Sequence, residues 1–194
     1  VKISDNIWIK PTWESIETNV EDPLVIELDP GMAFGTGTHP TTKLCVQALE
    51  KFVKQDDTVL DVGCGSGVLS IAAALLGADS VYAFDLDDVA VSSTRNNTNV
   101  NKMEDVIKVK QNNLLEGITE KADVIVSNIL AEIIITFTQD VWECLKEEGY
   151  FIASGIISEK KELVVSNLHE SGFKIVHTDL KDDWIVIVAQ KRNI

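Results

Sequence analysis

Basic residues are scarce. Seventeen Lys and Arg stand against 31 Asp and Glu, for a formal net charge of −14. A surface of that sign repels phosphate backbones, so direct nucleic-acid binding over a large footprint is disfavoured. A basic protein substrate is attracted instead, although the same acids also serve plain solubility. Cysteine is nearly lacking: Cys45, Cys64 and Cys144 are widely spaced with no C-x-x-C pair. That argues against a disulfide framework and against a zinc or other metal site, and reads as reduced thiols in a cytoplasmic protein. No apolar run approaches a membrane span, and the N-terminus has no basic region followed by an apolar stretch. Internal repeats and low-complexity tracts are missing as well. The chain opens on Val1 rather than methionine, which fits a fragment. The rest of the composition is ordinary. With 194 residues, 45% hydrophobic and 25% charged, it suits one domain with a real core.

The most informative stretch is Val59-Leu60-Asp61-Val62-Gly63-Cys64-Gly65-Ser66-Gly67, followed by the helix former Val68-Leu69-Ser70-Ile71-Ala72-Ala73-Ala74-Leu75-Leu76 and Gly77. Strand, glycine turn and helix open a nucleotide-binding βαβ unit. Glycine is required where a Cβ would keep a ligand off the backbone or where φ must be positive. The following helix start offers unpaired N–H groups. The dinucleotide fingerprint is G-x-G-x-x-G, but here Val68 stands where its third glycine belongs. The spacing is G-x-G-x-G with Asp61 two residues upstream. Eighteen residues after Gly67, Val81-Tyr82-Ala83-Phe84 ends in Asp85, an acid placed to accept hydrogen bonds from both ribose hydroxyls. Triplet, upstream acid and Asp85 together resemble the S-adenosylmethionine-dependent methyltransferases of the Rossmann-like class.

In chain order, Ile7-Trp8-Ile9 and Leu24-Val25-Ile26 predict short strands in a lead-in that either packs on the main domain or is the remnant of a linker. A loop rich in Gly, Thr and Pro runs over 28–42 and ends at a helix from about Pro40 to Val53, capped by Thr38 or His39. A helix capped by Asp87 runs to about Val100, and Val106 to Lys110 is the third strand of the sheet. Asp123 to Ser127 is a buried strand ending in Asn128. One helix is expected over 131–145, then a turn at Glu147-Glu148-Gly149, a strand over 150–154, and a helix from about Glu159 to Glu170 capped by Ser158. The runs 173–178 and 184–189 have no helix between them and predict an antiparallel pair at the sheet's end. The fold class is therefore α/β: a Rossmann-like, seven-stranded, mostly parallel sheet with an antiparallel last strand and helices on both faces.

Asp29-Pro30-Gly31-Met32-Ala33-Phe34-Gly35-Thr36-Gly37-Thr38-His39-Pro40-Thr41-Thr42 looks like the signature of the bacterial ribosomal protein L-eleven (L11) methyltransferases, and Asn128-Ile129-Leu130 resembles that family's motif after strand four. The resemblance implies methylation of amino groups of a ribosomal stalk protein, with Thr42 at the donor and Phe34 covering the pocket. It also implies a separate N-terminal substrate-recognition domain, which is not seen in this sequence. On this reading residues 1–38 are lead-in and the start of the donor loop, and 39–194 are the methyltransferase domain.

The expected donor set is Gly63, Gly65 and Gly67 against the donor, Asp61 ordering the loop, Asp85 on ribose and Thr42 at the amino-acid end. Asn113 either reads the adenine edge or is a plain turn residue. His39 is either a general base or a cap. The catalytic candidate is Asn128, whose side-chain oxygen, with the carbonyl of Ile129, aligns an amine lone pair. The acceptor is a lysine ε-amino or an N-terminal α-amino group of the stalk protein. Alternatives are an N-methyltransferase for another protein or small amine, an NAD-dependent oxidoreductase, and a donor-binding module without catalysis.

Overall fold

The apolar runs centred on residues 60, 83, 125, 152 and 187 fold into one sheet because each supplies side chains to both of its faces. The computed structural model describes residues 1–29 and 38–193. The sheet has seven strands: β3 (Thr58–Val62), β4 (Ser80–Asp85), β5 (Ile107–Gln111), β6 (Ala122–Asn128), β7 (Leu145–Ile157), β8 (Lys174–Lys181) and β9 (Trp184–Gln190), in the order β5-β4-β3-β6-β7-β9-β8. Strands β3 to β7 run parallel to one another, and β9 lies antiparallel between β7 and β8. A short loop between β8 and β9 allows only the antiparallel hairpin.

Alternation along the strands sorts the core into two layers. Val59, Val124, Val126, Ile152 and Val188 face α1 (Pro40–Phe52) and α2 (Val68–Leu75). Leu60, Ile125, Phe151 and Ile187 face α4 (Ala131–Ile134), α5 (Thr138–Cys144) and α6 (Lys161–Glu170). Helix α3 (Asp88–Val100) packs on β4, β5 and α2. Before the sheet, β1 (Ile7–Pro11) and β2 (Leu24–Leu28) form a separate parallel pair. Their Ile7, Ile9, Ile26 and Leu28 are buried in the same layer as α1 and α2.

Three expectations are corrected. The single helix over 131–145 is two helices, because Ile133-Ile134-Ile135 is β-branched and Thr136 Oγ1 donates to the Ile133 carbonyl at 2.6 Å, ending α4. Ser158 does not cap α6. It starts a 3-10 turn (Ser158–Lys160), and its hydroxyl bonds the Asp183 carboxylate in the β8–β9 turn. The turn at 147–149 is a bulge inside β7, with Glu148 at φ +66° and its N–H donating to the Lys191 carbonyl at 2.9 Å.

Strand order reverses at β3, which lies between β4 and β6. Registers pair Val62 with Phe84 and with Ser127, and Asn128 with Ser154. Gly63, Asp85 and Asn128 therefore leave the sheet at one edge, where ligands bind in open α/β sheets.

Candidate functional site

At that edge the chain must turn from β3 into α2 at once. Gly63, Gly65 and Gly67 take φ of +80°, +55° and +86°, a region that costs other residues about 1–2 kcal/mol. A Cβ on Gly63 would stand 2.7 Å from Ile129 Cγ2, and one on Gly67 2.9 Å from Thr94 Cγ2. The N–H groups of Gly63 and Cys64 both donate to the Phe84 carbonyl, at 2.8 and 2.9 Å. Asp85 closes the turn from the next strand: Oδ2 accepts from the Gly65 N–H and Oδ1 from the Asp87 N–H, each at 3.0 Å. Each carboxylate oxygen keeps a second lone pair for a hydroxyl.

The first part of this turn borders a cavity of about 380 Å³, within the range of small-molecule sites, whereas Gly67 does not border it. Gly63, Gly65, Asp85, Thr42, Asn113 and Asn128 all border it, with Leu86, Leu114, Ile129 and Ile133 as apolar wall. Thr42 is fully buried and its Oγ1 has no hydrogen-bond partner among the described residues. A buried, unpaired hydroxyl is costly unless a ligand completes it. Asn113 is exposed on the rim, its amide 3.5 Å from Glu116, whereas Asn112 makes the turn by donating to the carbonyls of Leu114 and Glu116. Asn128 donates through Nδ2 to Thr41 Oγ1 at 3.1 Å. His39 is the cap of α1, its Nδ1 accepting from the Thr41 N–H at 3.2 Å. Phe34 lies outside the described residues.

Asp61 does not border the cavity. It is fully buried, with Oδ2 accepting from Ser70 Oγ at 2.6 Å and Oδ1 unpaired. Burial, reinforced by the charge of Asp85, pushes its carboxyl up to about 7 against the opposing Ser70 bonds. Its contact is thus with α2, tying strand to helix behind the glycine turn. Burial also pushes the Cys64 thiol well above the ordinary range, which makes it a poor nucleophile. Among the described residues no group of His, Cys, Asp and Glu is arranged to hold a metal.

The family model of the ribosomal protein L11 methyltransferases (PrmA) matches residues 1–192. This chain belongs to the ribosomal protein L11 methyltransferase family. A relative from Oceanobacillus iheyensis, "Ribosomal protein L11 methyltransferase", is 61% identical over 191 residues, covering 98% of this chain and 61% of the relative. The protein of that name from Bacillus subtilis is 58% identical with the same coverage. The chain therefore spans about three-fifths of the length of the curated relatives it matches. A solved structure of a ribosomal protein L11 methylase from Lactobacillus delbrueckii subsp. bulgaricus superposes with a TM-score of 0.93 at 35% identity, covering 100% of this chain and 98% of that one.

Around this site, several residues carry no motif signal of the expected kind. Thr94 Oγ1 on α3 donates to the Gly65 carbonyl at 2.9 Å, and Asn97 Nδ2 donates to the Ser66 carbonyl at 2.7 Å while its Oδ1 accepts from the Asp29 N–H at 2.9 Å. The helix period that sets Thr94, Asn97, Thr98 and Asn101 on one buried or half-buried stripe is the trace they leave in the sequence. Gly155, at φ +84° inside β7, lies under the 128–130 turn: a Cβ there would stand 2.3 Å from the Ile129 carbonyl oxygen. A glycine inside a strand is the signal for such a close approach.

Proposed function

We propose that this chain is the methyl-transfer domain of an S-adenosylmethionine-dependent protein N-methyltransferase acting on lysine ε-amino or N-terminal α-amino groups of ribosomal protein L11. The observation that carries it is one cavity bordered together by Thr42, whose buried hydroxyl has no partner among the described residues, by a left-handed glycine turn and by Asp85. The residues present fit the donor. Gly63 and Gly65 would admit it against the backbone, Gly67 would hold the turn that presents them, Asp85 would accept from the ribose hydroxyls, and Thr42 would donate to the methionine carboxylate. Asn113 at the rim would read the adenine edge. When bound, S-adenosylmethionine supplies an electrophilic methyl group.

The chain's own part is to bind and orient a neutral amine. A lysine ammonium has a reference pKa of about 10.4, and an apolar wall lowers it by disfavouring the charged form. Leu86, Ile129 and Ile133 form that wall. The oxygen of Asn128 accepts an N–H of the amine and leaves its lone pair directed into the cavity, and the released proton passes to water. Positioning of this kind is the main catalytic term for a transfer that forms no enzyme-bound intermediate. Residues 39–194 form the methyltransferase domain, residues 1–38 are the lead-in and the start of the donor loop, and a ribosomal substrate implies work in the cytoplasm.

The test is transfer of labelled methyl from S-adenosylmethionine to purified L11, with donor binding measured by calorimetry on the same sample. Label on lysine or the α-amino group is expected. Donor binding without label assigns acceptor recognition to parts of the protein outside this chain, or points to another protein or small amine. Absence of donor binding overturns the proposal.

A further inference from the structure

The hydroxyl of Thr41 sits between an imidazole and an amide. Its Oγ1 is 2.7 Å from His39 Nδ1 and 3.1 Å from Asn128 Nδ2, and the Thr41 backbone N–H donates to the same Nδ1 at 3.2 Å. Thr41 is buried at the start of α1, and the His39 ring meets Trp184 edge-on at 4.9 Å.

An inventory of protons settles which group donates to which. A backbone N–H can only donate, so Nδ1 is its acceptor and carries no proton of its own. A bare Nδ1 cannot donate to the hydroxyl, so Thr41 O–H donates to it. A hydroxyl has one proton, and it is now used. Whatever Thr41 Oγ1 meets on Asn128 must therefore be a donor, which only the amide nitrogen is. Amide orientation is usually ambiguous; here it follows from a backbone N–H two bonds along the chain of contacts. The NH2 of Asn128 is turned to α1, and Oδ1 is the polar atom left for the cavity that Asn128 borders.

We infer that Thr41 is a positioning residue for the reaction, holding the Asn128 amide so that its carbonyl oxygen meets the acceptor amine. The inference rests on the reading of Asn128 given above. The two orientations are not equivalent chemically. A carbonyl oxygen accepts an N–H of the amine and leaves the nitrogen lone pair free. An NH2 group would instead donate to that lone pair and compete with the transfer.

Thr41→Val keeps shape and burial while removing both side-chain bonds, and Thr41→Ser restores them. With saturating donor and L11, Thr41→Val is expected to lose about tenfold or more in kcat, with donor Kd within about twofold of wild type, and Thr41→Ser to stay within about threefold. A readout independent of turnover is ¹⁵N NMR of the labelled chain. It should show a His39 Nδ1 without a proton, and Asn128 side-chain protons that exchange faster in Thr41→Val than in wild type. A proton on His39 Nδ1, or Thr41→Val with wild-type kcat beside a slow Asn128→Ala, overturns the role of Thr41 alone. Asn128→Ala with wild-type kcat overturns the reading of Asn128 and this inference with it.

Discussion

Replacing Asp61 by asparagine removes a charge from a site that disfavours it, and the effect has a defined size and pH window. The carboxyl is fully buried with one oxygen unpaired, and its midpoint is raised from 3.8 to about 7. A gap of about three units at about 1.36 kcal/mol each amounts to about 4 kcal/mol. Between those two values the native protein holds a proton that the unfolded chain has released. Stability from this group is therefore complete below about pH 3.8 and lost as pH rises to about 7. Asp61→Asn keeps the shape and still accepts from Ser70, but it cannot ionise. From pH 5 to 7.5 wild type should lose about 2–3 kcal/mol relative to the variant, a change in the Tm difference of roughly 5–10 °C for a domain of this size. Thermal and urea unfolding of both ligand-free proteins at pH 5, 6, 7 and 8 measures it. A difference that stays flat across that range would show Asp61 titrating at its ordinary value and refute the argument from burial.

Thr42→Val should weaken donor binding about five- to tenfold by calorimetry, yet leave the Tm unchanged or higher, because the hydroxyl it removes is buried and unpaired without ligand. Gly63→Ala should cost about 1–2 kcal/mol from its φ of +80° and further affinity from its contact with Ile129; adding Ile129→Ala should recover the contact part only, so full recovery of stability would contradict the backbone argument. Gly155→Ala should destabilise more than Gly117→Ala by chemical denaturation, since both have positive φ but a Cβ at 155 meets backbone at 2.3 Å and one at 117 meets nothing within 4 Å. Asn128→Ala should lower turnover much more than donor affinity, and equal losses in both would move Asn128 from the chemistry to donor binding.

Local rules accounted for much of this protein. The G-x-G-x-G turn, Asp85 at a strand end, the cap at Asp87 and the hairpin of β8 and β9 all follow from short-range periods and φ requirements, so they were legible along the chain. Helix 131–145 misread because its apolar period runs through a β-branched stretch that cannot hold one continuous helix once Thr136 turns back on Ile133. The glycine turn could be named from the sequence, but its support could not. Thr94 and Asn97 reach it from α3, about thirty residues away, through hydrogen bonds that exist only after α3 packs beside α2. Likewise Asn128 was legible as a strand-end amide, whereas its orientation depends on Thr41, 87 residues earlier, brought to it by the packing of α1 on the sheet. The sequence by itself thus determined which chemical groups stand at the sheet edge, because turns and strand ends are local. Only the tertiary structure decided which atoms of those groups are already paired and which are left for a ligand, because pairing is a property of elements that meet in space.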